Sequence, residues 1–84
     1  MKITFKLYAS LGEYLPGDVR PGNQMTLDVP PDATIAEIVA PFNLPPKLVH
    51  LVLINGVYVA PAERAARRLA EGDVLAIWPP IAGG

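Results

Sequence analysis

Asn55-Gly56 sits between two apolar runs, Leu51–Ile54 and Val57–Val59, and no other stretch constrains the fold as tightly. A two-residue loop of this composition favours a type I′ turn, whose positive φ angles match the right-handed twist of paired strands. The segment is therefore a β-hairpin. A lone hairpin is barely stable in water, so the remaining chain must extend it into a sheet and cover that sheet with apolar surface. Leu51-Val52-Leu53-Ile54 is apolar at every position, as expected of a strand with neighbours on both sides.

The other segments supply those partners. Ile3, Phe5 and Leu7 alternate with Lys2, Thr4 and Lys6, and Met25, Leu27 and Val29 alternate with Gln24, Thr26 and Asp28. Each run reads as a strand with one core face and one wet face. Val74–Trp78 is a last strand, entered through Gly72-Asp73. Ser10 stands three residues before Glu13, and Thr34 three before Glu37. At that spacing a hydroxyl and a carboxylate can cap each other's backbone donors. The first pair predicts a short helix packed through Leu11, Tyr14 and Leu15 and ended by Pro16-Gly17. The second opens the main helix, whose Ile35, Ile38, Val39 and Phe42 form one stripe and which Pro41 ends or kinks. Pro46 suits the first position of a further turn. Residues 61–71 read as a helix-prone surface connection, with Arg64, Arg67 and Arg68 outside and Leu69 inside. Strands flanking one main helix predict an α+β architecture, a mixed sheet wrapped over that helix.

With 84 residues, 51% of them hydrophobic, the chain suits one compact domain. A chain of this size buries only about 60% of the surface its unfolded form exposes, which leaves little material for a deep active site. That argues for a carrier or binding partner. There is no cysteine, which removes disulfides, thiol nucleophiles and cysteine-ligated zinc together. Seven basic residues against eight acidic ones form no basic stripe, so nucleic acid is not expected as a partner. No apolar run approaches membrane-spanning length, and the first residues alternate like a strand rather than a signal peptide. A soluble cytoplasmic protein without membrane association is the expectation.

Phosphate-binding glycine loops and acidic metal clusters are absent from the sequence. His50 is the one histidine, and general-base work would need a positioned partner for it. Trp78 is either core or an anchor for a partner, tryptophan being enriched at binding hot spots. The group with an unusual position is the terminal carboxylate. Pro79 and Pro80 stiffen the exit from the last strand, Ile81 and Ala82 follow, and Gly83 and Gly84 leave the final backbone bare. Fully extended, these residues reach roughly 20 Å, enough to carry the Gly84 carboxylate into another protein's cleft. A carboxylate must be activated before a nucleophile can attack it, and a thin end admits the activating enzyme. The alternative is an inert chain end.

The stretches 6–11, 32–38, 53–59 and 69–74 and the ending Trp78-Pro79-Pro80-Ile81-Ala82-Gly83-Gly84 resemble the MoaD/ThiS group of ubiquitin-like β-grasp sulfur carriers over nearly the full length. The chain looks more like the MoaD branch, the small subunit of molybdopterin synthase, than the thiazole branch. The insertion after the first strand and the Pro-Pro before Ala-Gly-Gly carry that preference. Gly12 departs from the arginine common in that branch. The resemblance implies a β-grasp domain at residues 1–78 and a flexible, extended Gly-Gly tail at residues 79–84. It implies further that a ubiquitin-activating-like adenylyltransferase adenylates Gly84 with ATP, that a thiocarboxylate follows, and that Pro79, Pro80, Ile81, Ala82 and Gly83 insert the end into the large synthase subunit. There it would give sulfur to a pyranopterin, forming the dithiolene that holds molybdenum or tungsten. Trp78 would dock a partner. No residue of the chain is assigned as a catalyst, and no bound cofactor or metal is implied. Three other readings stand beside this one: a thiazole sulfur carrier, a ubiquitin-like protein modifier attached through Gly84, and a passive interaction module.

Overall fold

The computed structural model describes residues 1–19 and 22–80. Five strands, β1 (Lys2–Leu7), β2 (Gln24–Asp28), β3 (Leu51–Ile54), β4 (Val57–Tyr58) and β5 (Val74–Trp78), form one sheet in the order β2-β1-β5-β3-β4. The hairpin expected from Asn55-Gly56 is β3–β4, with φ of 51° at Asn55 and 82° at Gly56. β1 pairs antiparallel with β2 and parallel with β5, and β5 pairs antiparallel with β3. The strand reached last in sequence therefore joins the two halves of the sheet.

The strand period decides which side is core. Ile3, Phe5 and Leu7 of β1 face the same way as Leu75 and Ile77 of β5 and Val52 and Ile54 of β3, and all are buried. Ile35 and Ile38 of the helix α1 (Ile35–Val39) close this layer, with Leu11, Leu15, Ala33, Val59 and Leu69 sealing its margins. A mixed sheet clasping a helix is the expected α+β, β-grasp arrangement.

The capping box at α1 forms as expected. Glu37 N–H donates to Thr34 Oγ1 at 3.2 Å, and Thr34 N–H donates to Glu37 Oε1 at 2.9 Å. The α-helical part is shorter than its apolar stripe. Pro41 has no amide to continue the ladder, so the chain tightens into a 3₁₀ turn over Ala40–Phe42 and stops at Asn43, whose φ is 54°. Phe42 still reaches the core, its ring 4.7 Å from that of Phe5. A single 3₁₀ turn over Pro46–Leu48 begins at Pro46.

Two local expectations are corrected. The Ser10–Glu13 capping pair does not form, and Ser10 is exposed. Tyr8 N–H still bonds to Ile77 O at 3.0 Å, so sheet pairing runs on to Tyr8 and the turn must begin at Ala9, ahead of Ser10. The outcome is a 3₁₀ helix over Ala9–Tyr14 with no side-chain cap, which still buries Leu11. Arg64 is not an outward surface charge. The connection after β4 holds only a 3₁₀ turn, Pro61–Glu63, and Arg64 folds back from it. Its guanidinium donates to Val59 O at 3.1 Å, Val49 O at 3.2 Å and His50 O at 3.0 Å. Arg67 and Arg68 remain exposed and Leu69 is buried, as expected.

Candidate functional site: the open sheet face and the exit of β5

The sheet's second face carries the residues that alternate with the core. On β5 these are Val74, Ala76 and Trp78, on β3 Leu51 and Leu53, on β4 Tyr58, and on and after β1 Thr4, Lys6 and Tyr8. Trp78 resolves here: it is neither core nor free. Its ring lies flat on Tyr8, with centroids 4.0 Å apart and planes 5° from parallel, and Leu51 is its partner across β3. Ala76 is covered between Lys6 and Leu53, its two cross-strand neighbours. Tyr58 is 53% exposed at the margin. An aromatic and aliphatic patch on the open face thus surrounds the point where β5 leaves the sheet.

The exit is held firmly on both sides. Tyr8 N–H donates to Ile77 O, and His50 N–H donates to Trp78 O at 3.2 Å. His50 therefore serves this end of the sheet through its backbone, while its side chain is exposed. The carbonyl of His50 is one of the three that Arg64 grips, so Arg64 braces the strand beside Trp78 from behind. Pro79 and Pro80 follow, half-buried. Ile81, Ala82, Gly83 and Gly84 lie outside the described residues, so the sulfur-carrying and insertion roles expected of them have no structural counterpart here.

At the other end of β5 a second network fixes its start. Asn55 Nδ2 donates to Asp73 Oδ1 at 2.9 Å, Val74 N–H donates to Asn55 Oδ1 at 2.9 Å, and Asp73 Oδ2 accepts Ala70 N–H at 2.8 Å. The turn residue chosen for its φ also ties the hairpin to the neighbouring strand. Away from the open face, a recess of about 440 Å³ lies between β2 and α1, lined by Leu27, Val29, Ala33, Ile38 and Phe42 with Glu37 near its rim. Among the described residues no cluster of His, Asp and Glu could hold a metal ion, and no helix is long and apolar enough to cross a membrane.

Sequence reasoning found Trp78 but missed the patch around it. Leu51-Val52-Leu53-Ile54 has a strand on each side, β5 and β4, as expected, and Leu51 and Leu53 are the open-face half of this all-apolar strand. The signal was available: a strand apolar on both faces in a sheet with one helix layer must show one apolar face.

A mixed five-stranded sheet over one helix, with the last strand in its middle, is a ubiquitin-like β-grasp fold. The ThiS family model matches residues 14–84, and the chain belongs to the ThiS family. Among solved structures it is similar to SAMP1 from Haloferax volcanii, at 27% identity with a TM-score of 0.66 over 100% of both chains. It is also similar to the structure described as H. volcanii small archaeal modifier protein 1, at 25% identity and a TM-score of 0.65 over 95% of this chain and 98% of that one. A Pyrococcus furiosus protein provisionally described as molybdopterin converting factor subunit 1 shares the fold, at 18% identity and a TM-score of 0.65 over 96% and 99% of the two chains. No curated protein matches significantly.

Proposed function

We propose that this chain carries sulfur as a thiocarboxylate on Gly84 and acts as the small subunit of a molybdopterin synthase. The observation that carries the reading is the ThiS family match, which runs to Gly84 and thus includes the Gly-Gly end. A ubiquitin-activating-like adenylyltransferase would transfer AMP from ATP to the Gly84 carboxylate, releasing pyrophosphate. Hydrosulfide would then attack the acyl carbon and expel AMP, leaving the thiocarboxylate and one proton. The open face, centred on Trp78, Leu51 and Leu53, would dock the activating enzyme and then the large synthase subunit in turn. A shared docking face suits a carrier, because one partner must leave before the next can bind. Gly83, Ala82, Ile81, Pro80 and Pro79 would thread the end into each partner, where small residues at the tip let the backbone approach closely.

The test is intact mass spectrometry after incubation with the activating enzyme of the same source, ATP and sulfide. The expected product is heavier by the exchange of one oxygen for sulfur, and deletion of Gly84 abolishes it. An unchanged mass, with the activating enzyme shown to work on another carrier, refutes the reading.

The likeness to SAMP1 over the whole of both chains favours a second reading, in which the chain is a protein modifier. Here a lysine amine of a target protein attacks the Gly84 acyl-adenylate, an isopeptide bond forms, and AMP and a proton leave. Covalent adducts in cell lysate that vanish on Gly84 deletion would identify that fate.

A further inference from the structure

β2 is an edge strand, paired with β1 and, among the described residues, with no other strand. Which of its backbone groups are free follows from the ladder. Val29 N–H donates to Met1 O at 2.8 Å, the N-terminal amine donates to Val29 O at 2.6 Å, and Leu7 N–H donates to Asn23 O at 2.9 Å. Antiparallel bonding alternates, so Asn23, Met25, Leu27 and Val29 turn toward β1. The N–H and C=O groups of Gln24, Thr26 and Asp28 turn outward, and they form an open hydrogen-bonding edge. Such an edge is a template for another strand unless charge, proline or a bulge blunts it. Within Gln24-Met25-Thr26-Leu27-Asp28 there is no proline and only one charge.

This strand is complementary to itself. When two copies run antiparallel with Thr26 opposite Thr26, all five residues pair. Gln24 then meets Asp28 of the second copy twice, and Met25 meets Leu27 twice. The first pairing sets a side-chain amide donor against a carboxylate on the outer face. Asp28 is free to accept it, because its side chain is 76% exposed and its ion pairs to Lys2 Nζ and the N-terminal amine are long, at 3.6 and 3.7 Å. The second pairing puts the other copy's Met25 beside Leu27, at the recess lined by Ile38, Ala33 and Phe42. Sliding the register so that Asp28 faces Asp28 sets like charges together and leaves most of the strand unpaired.

We infer that β2 is a self-association edge, through which two copies of this chain join their sheets into one ten-stranded sheet about a two-fold axis at Thr26. Both helices then lie on one side of the joined sheet and both open faces on the other. β5, separated from β2 by β1, keeps its exit free in each copy.

Sedimentation velocity on the full chain, from micromolar to millimolar concentration, tests this. The expected result is a concentration-dependent dimer. Thr26→Pro removes only an outward amide, so the β1 ladder survives and the chain becomes monomeric with an unchanged circular dichroism spectrum. Gln24→Asp puts Asp against Asp in both pairings and raises the dissociation constant about tenfold, whereas Gln24→Lys puts Lys against Asp and lowers it by a similar factor. This opposed pair decides the matter should the proline variant not fold, because loss of structure cannot tighten a dimer. A chain that stays monomeric throughout overturns the inference. So does a dimer indifferent to both Gln24 variants, or one that Trp78→Ala breaks and Thr26→Pro does not.

Discussion

Single residues here do work that their neighbours cannot replace, and two of them make predictions. Glu37 closes the capping box, and the hydrogen bond from the Thr34 amide, helped by the Thr34 hydroxyl and by Arg68, holds its carboxyl below the usual carboxylate range. A carboxylate with a folded-state pKa below its unfolded value stabilises the fold above the unfolded value, about 4.3 for glutamate. That contribution is lost as pH falls through the lower, folded value. Thermal unfolding followed from pH 7 into this acid range is therefore expected to show a decline that is shallower in Glu37→Gln. Trp78 is the second case. Its flat contact with Tyr8 and its place opposite Leu51 mean that Trp78→Ala removes both stacking and apolar cover, for about 2 kcal/mol of stability. Denaturant titration measures that loss. Affinity for the activating enzyme, measured at a temperature where the variant is fully folded, should fall as well. The residue's importance was readable in the sequence, but its direction was not, because a tryptophan ending an apolar strand fits core and surface equally well.

Among the elements, the connections carry more of the fold's specification than the strands. Arg64 shows this: one guanidinium binds three carbonyls from the segments on either side of the hairpin. Arg64→Ala is expected to cost about 2 kcal/mol in chemical unfolding, and Arg64→Lys to recover less than half, since an ammonium cannot span the same fork. The Asn55 turn separates backbone from side-chain effects. Asn55→Gly keeps the positive φ but loses both side-chain bonds to residues 73 and 74, for about 1 kcal/mol, whereas Asn55→Ala adds strain and costs about 2 kcal/mol. Urea unfolding of the two variants side by side checks the difference. The strands themselves were legible, because a period of two and an Asn-Gly turn are local signals. Helix extents and the Arg64 clamp were not. Pro41 shortens α1 while leaving Phe42 in its stripe, and Arg64 depends on where residues 49, 50 and 59 come together, which no local pattern encodes.

At the scale of the whole molecule, the core of the described residues is closed without the prolines that follow β5. The buried cluster runs from Ile3 to Ile77 and stops before the prolines. On the proposed function, deleting Gly83 and Gly84 is expected to abolish the sulfur-dependent mass increase while leaving the unfolding midpoint unchanged, and calorimetry beside mass spectrometry checks both. The fold class was legible because the apolar segments, their order and one capped helix leave few arrangements; the open face emerged only when strand order showed which half of β3 lacked a helix above it. The central place of β5 bears on biosynthesis as well. β1 pairs with β2 and β3 with β4, but β1 and β3 do not pair with each other, and the two pairs are joined only when residues 74–78 arrive. A ribosome must therefore make all of β1 to β5 before the sheet can close. A chain clipped ahead of Val74 lacks the one strand that joins the two pairs, and is expected to be degraded faster than the full chain.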